Sequence, residues 1–318
     1  MTRMRPSILG SLAITLLVTH QPVVAQRRPI PRPQLEGVWN GATLTPLERP
    51  AGFERRAAFT PEEAAEFKRT TSDRIRSRLP SDADRLTQVD IDETYVETEV
   101  FTLDRLRTSL IVDPPHGRLP DLLPEARARV TARPKRSFED PETFGLAERC
   151  LLGNFGAGGS LASPPLMPSE VIPGYYEIVQ TDAHVMIFTE WIHDARIVRM
   201  NSTHLSPAIR QWLGDSIGFY EGSTLVVDTT NFRGDTHNLN SGERLHVVER
   251  FARVDPKTMR YRVTVTDPDT WATPWTAEWL FKAIDAKIYG IECHEGNYAI
   301  EHFLRGARFE ERERSRQR

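Results

Sequence analysis

Between residues 175 and 293, apolar and polar side chains alternate in runs of three to ten residues, with turn-forming residues between the runs. A period of two sends successive side chains to opposite faces of a sheet. Strands are therefore expected over 176–180, 185–192, 196–200, 218–220, 224–231, 245–254, 259–266, 276–283 and 287–293. The separators Asp182-Ala183, Glu221-Gly222-Ser223, Asp255-Pro256-Lys257-Thr258 and Asp285-Ala286 are short enough that the strands they join must run antiparallel. Such a meander closes most easily into a barrel.

The first half of the chain is less regular. Thr60-Pro61-Glu62-Glu63 is a capping box with proline at the first helical position, and Ala64, Ala65, Phe67 and Ile75 extend the helix to about residue 78. Extended segments are expected at 35–39, 94–103 and 109–112, and a second, basic helix at 124–133. Residues 139–174 turn to Gly, Pro and Ser and predict a long loop, a lid or a disordered connection. Its glycines follow no strand and open no helix, so they do not form a phosphate-binding loop.

Arg3 and Arg5, the short apolar run 8–18 and the small residues Val23-Val24-Ala25 read as a secretory signal over 1–25. The expected organisation is then a Pro/Arg leader at 26–34, one barrel domain at 35–304 and a charged tail at 305–318. A periplasmic or secreted location follows. Without Arg3 and Arg5 the chain holds 39 basic against 44 acidic residues, a net charge of about −5. That balance excludes nucleic acid and anionic membrane surfaces as natural partners and favours a small molecule or saccharide. Export would let Cys150 and Cys293 form a disulfide; two separately buried thiols are the alternative.

Gly37-Val38-Trp39 resembles the opening of lipocalin-type barrels, in which the tryptophan closes one end. The fold class expected is mainly β: an antiparallel meander closing into a lipocalin-like barrel, with a few peripheral helices and a long Gly/Pro loop. A second resemblance rests on Ile192-His193-Asp194-Ala195-Arg196, on 210–216, on 221–232 and on Cys293-His294-Glu295-Gly296-Asn297. These are similar to a widespread group of exported bacterial proteins without assigned function, over about 39–306. Ser223 departs from that group, which favours aspartate at this turn position. The resemblance implies no activity.

Candidate chemistry gathers in the second half. On an unbroken strand Glu190, Ile192, Asp194 and Arg196 share a face and His193 lies opposite, so Asp194 and Arg196 can pair. Glu249 stands in an apolar row with Leu245, Val247 and Phe251. A carboxylate there needs a buried arginine or serves as a general acid/base. His294, Glu295 and Asn297 are expected at the barrel rim, where His294 suits proton exchange near neutral pH. His294, Glu249, Asp194 and Arg196 are thus the catalytic candidates. Glu190, His193, Asp228, Trp271, Trp275, Glu295 and Asn297 are the ligand-binding ones, although tryptophans at strand spacing also serve as plain core. No close histidine or cysteine spacing assigns a metal, and no motif assigns a cofactor.

Three functions fit this reading. The first is a barrel that holds a small organic or saccharide ligand at its mouth and transforms it by acid/base chemistry, as a lyase, isomerase or hydrolase. The second is a non-catalytic periplasmic carrier, and the third a surface assembly module. The sequence leaves catalysis and simple binding both open.

Overall fold

The computed structural model describes residues 33–76, 106–132, 139–152, 164–168, 174–234, 238–290, 293–294 and 296–317. The expected signal at 1–25, most of the leader, the extended segment at 94–103, much of the 139–174 loop and Glu295 lie outside the described residues.

Ten strands form one sheet. They are β1 (Gly37–Asn40), β2 (Ile111–Asp113), β3 (Tyr175–Gln180), β4 (His184–Thr189), β5 (Asp194–Met200), β6 (Asp215–Glu221), β7 (Thr224–Thr230), β8 (His246–Asp255), β9 (Thr258–Thr266) and β10 (Trp275–Ile284). From β3 to β10 they pair in sequence order, and β1 bridges β3 and β10, closing a nine-stranded barrel. The extra strand, β2, adds to β10 beyond the stretch that β1 occupies, pairing at Thr276 and Ala277. Three helices are described: α1 (Pro61–Arg76), α2 (Pro124–Thr131) and α3 (Ala299–Arg316). None is long and apolar enough to cross a membrane. At the head of α1 the capping box closes in both directions, Thr60 N donating to Glu63 Oε2 at 2.8 Å and Glu63 N to Thr60 Oγ1 at 3.2 Å.

The barrel is therefore mainly β with a few peripheral helices, as the alternation predicts, but its meander breaks once. β5 and β6 run parallel, with Arg199 facing Ile217 and Met200 facing Gly218. The link between them, 201–214, is no tight turn, and a connection of this length can carry the chain back to the end from which it came. It re-enters β6 through Gly214 at φ +71°, where an added Cβ would lie 2.7 Å from the Thr230 carbonyl oxygen. Only glycine fits this corner without strain.

Two other expectations fail locally. The strand predicted over 185–192 stops at Thr189, because 191–193 form a tight turn in which Ile192 and His193 adopt left-handed backbone angles. The strand predicted over 287–293 is not found among the described residues: 286–290 carry no regular structure, and Cys293 and His294 lie in a bend before α3. Cys293 is joined to Cys150 by a disulfide, with Cα atoms 5.6 Å apart.

The core is the barrel interior. Leu225, Val227, Val247, Phe251, Tyr261, Val263, Trp275, Trp279 and Phe281 project inward at strand spacing and are almost fully buried. Trp39 on β1 joins them, its indole N–H donating to the Leu35 carbonyl at 2.8 Å. Rings pack edge to face and in offset stacks, with Tyr261 lying 4.7 Å from Trp279, 5.1 Å from Phe281 and 5.0 Å from Phe251.

Candidate functional site

Two charged groups, Glu249 and Arg196, enter this apolar interior. Glu249 is inward on β8 because Val247 and Phe251 are, and Arg196 is inward on β5 with Val198 and Met200. The two meet across the barrel, 3% and 0% exposed for Arg196 and Glu249. Arg196 Nη1 bonds Glu249 Oε2, and Nη2 donates to Oε1 at 3.1 Å. Tyr261, from β9, donates its hydroxyl to the same Oε1 at 2.7 Å and accepts from the Leu166 backbone N–H at 3.0 Å. Burial, with the Glu249 charge beside it, pushes the Tyr261 phenol well above its ordinary range; burial and Glu249 do the same to Tyr176.

The partner of Arg196 is thus Glu249 rather than Asp194. The turn at 191–193 removes Glu190 from the strand face it was expected to share with Asp194, and Arg196 gives its terminal nitrogens to β8. Burial raises the Asp194 carboxyl against a backbone N–H that lowers it, and burial likewise raises Glu190, which accepts from the Tyr289 N–H at 3.2 Å. His193 is exposed and meets the Phe188 ring edge-on at 4.7 Å.

Trp271 and Trp275 pack 6.4 Å apart, nearly perpendicular, and both are core. Yet the indole nitrogens of Trp271, Trp275 and Trp279 are buried with no hydrogen-bond partner among the described residues, and so is Nε of Arg196. In a folded protein a buried N–H normally finds an acceptor.

His294 does not reach this interior. It stands exposed in the bend before α3, and its backbone carbonyl accepts from Asn297 N at 3.3 Å. The rim position expected for it depended on a last strand over 287–293, of which the described residues show none. Asn297 is likewise exposed, with its amide 3.5 Å from Cys150 Sγ. Among the described residues no hydrogen bond joins His294 to Glu249, Asp194 or Arg196.

A second cluster lies on the outer wall and was missed from sequence, Asp228 excepted. Asp228 of β7 accepts on Oδ1 from His246 Nε2 of β8 at 2.9 Å and from His204 Nε2 at 3.0 Å. His204 belongs to the 201–214 link, and its Nδ1 lies 3.0 Å from Asp215 Oδ2. Asp215 also takes two contacts from Arg199 Nη2, at 2.8 and 3.1 Å, and the Leu205 N–H at 2.8 Å. Burial raises both carboxyls, but the hydrogen bonds outweigh it and leave each below its ordinary range. The bond to Asp228 raises His246 against the opposing effect of burial. The outward parity of Asp228 and His246 is legible in the strand pattern; His204, in an irregular link, carries no such signal.

Among the described residues no group of three or more His, Cys, Asp or Glu is arranged to hold a metal ion. Comparisons with protein-family models, curated proteins and solved structures return no match to this chain.

Proposed function

We propose that the protein binds a small, acceptor-rich ring compound, of which saccharides are one class, inside the barrel against its aromatic wall. One observation carries this reading: four buried N–H donors, from Arg196, Trp271, Trp275 and Trp279, have no acceptor among the described residues. An unsatisfied buried donor costs about 1–3 kcal/mol. Four of them around one core are a standing demand for acceptor atoms. Trp275 and Trp279 project two of these donors from a wall of packed rings that also holds Tyr261 and Phe281.

Binding without turnover is the plainer form of the function, that of a carrier outside the cytoplasm. If a bound molecule is transformed, Glu249 and Tyr261 are the groups in the barrel able to exchange a proton with it, since His294 stands apart. Native mass spectrometry of protein purified from its own cells tests the reading. A retained mass, released on unfolding and lost from a Trp275→Phe/Trp279→Phe variant that still folds, is the expected outcome. The reading fails if the variant keeps the same mass, or if the protein carries none and its tryptophan emission does not respond to a panel of saccharides and aromatic compounds.

A further inference from the structure

A separate cleft lies on the outer face of the wall. Arg260 of β9 and Glu278 of β10 project away from the core, and the segments around residues 49, 58 and 107–115 fold over them. The cleft has a volume of about 490 Å³, within the range of small-molecule sites. Four charged side chains line it: Arg49, Arg107, Arg260 and Glu278.

The charges in this cleft do not balance. Glu278 is the one carboxylate among its lining residues, and its oxygens are already engaged, Oε1 by Arg107 Nη2 at 3.2 Å and Oε2 by Arg262 Nη1 at 3.4 Å. Arg49 is 7% exposed, yet its bonds go to neutral acceptors, Nη1 to the Glu54 carbonyl at 3.1 Å and Nη2 to the Pro115 carbonyl at 3.2 Å. A guanidinium this buried normally sits beside an anion. Arg49 Nε, Arg107 Nη1 and Arg260 Nε are moreover buried without a hydrogen-bond partner among the described residues. Three arginines, each with an N–H to give, border one cleft in a chain whose net charge is −3.

From this we infer that the cleft is a binding site for a small organic oxyanion, a molecule with a carboxylate or phosphate head and an apolar body. Planar guanidinium forks match the geometry of such heads. Ile111, Val112 and Pro115, which also line the cleft, give the apolar body its surface. The site is distinct from the barrel interior and does not depend on it.

Titration calorimetry of the full chain against phenyl phosphate, benzoate, neutral benzamide and inorganic phosphate tests the inference and separates the two kinds of head. Phenyl phosphate or benzoate should bind at least about tenfold more tightly than benzamide. An Arg107→Gln/Arg260→Gln variant, which spares the structural bonds of Arg49, should lose about tenfold or more in affinity, and Glu278→Gln should gain several-fold by removing the opposing charge. Tyr261→Phe should leave the anion affinity unchanged, which keeps this outcome independent of the barrel reading. Equal binding of benzamide and benzoate, unchanged affinity in the double arginine variant, or inorganic phosphate binding as tightly as phenyl phosphate would each overturn the inference.

Discussion

At the scale of single residues, Glu249 shows how a side chain's type and position announce a need without naming what meets it. Its place between Val247 and Phe251 signals a buried carboxylate from sequence alone, and such a group must be paired or serve as a general acid/base. The identity of the partner is unreadable, because Arg196 lies on another strand across the barrel. Removing one member should leave the other buried and uncompensated. Glu249→Gln is expected to cost about 3–5 kcal/mol of stability, while an Arg196→Met/Glu249→Leu double variant should recover most of the loss. Urea unfolding of the parent and both variants measures the two figures, and a single-variant cost below about 1 kcal/mol would mean that the pair is not truly desolvated.

At the scale of elements, most strands fall within a residue or two of where the period-two pattern puts them. The misses have physical causes. Left-handed backbone at Ile192 and His193 ends β4 early, and 287–293 reads as a strand although Ile284 is the last residue on β10 to find a pairing partner. The 201–214 link has no period to read, so neither the parallel junction nor the position of His204 was legible. That link is pinned to the wall by Asp215 and Asp228, and the pinning should depend on pH. His246 has a raised folded pKa, so its contribution is complete below about pH 6.5 and fades as the pH rises through the folded value. The two aspartates have lowered folded values, so theirs is complete above about pH 4 and fades on further acidification. Between those limits the cluster is at its strongest. NMR titration of His246 should give a midpoint above that of a free histidine, and Asp228→Asn should bring it down; a midpoint that stays high would assign the shift to another group.

At the scale of the whole molecule, the barrel was legible because its strands alternate, and the sites were not, because they assemble residues from distant segments. Arg49, Arg107 and Arg260 carry no common motif, and only folding brings them to one cleft. The Cys150–Cys293 disulfide acts at this same scale, closing a loop with a sequence separation of 143. Chain entropy gives such a closure a worth on the order of 5 kcal/mol. Denaturant unfolding with and without reductant should register a loss of up to this size, and a difference near zero would mean that the reduced, unfolded chain remains compact.

The seam of the barrel has a consequence for how the chain comes to its native state. β1 holds Trp39 against Ala283 of β10 and against Tyr176 of β3, so the wall cannot become continuous until the chain has been made through β10. A chain emerging from its N-terminus must keep β1 waiting, its edge unpaired, while the hairpins of the second half form by local search. Closure is a contact of very long range, which places it among the slow events of folding. The interval before it is when exposed strand edges leave this protein most open to aggregation or to a chaperone.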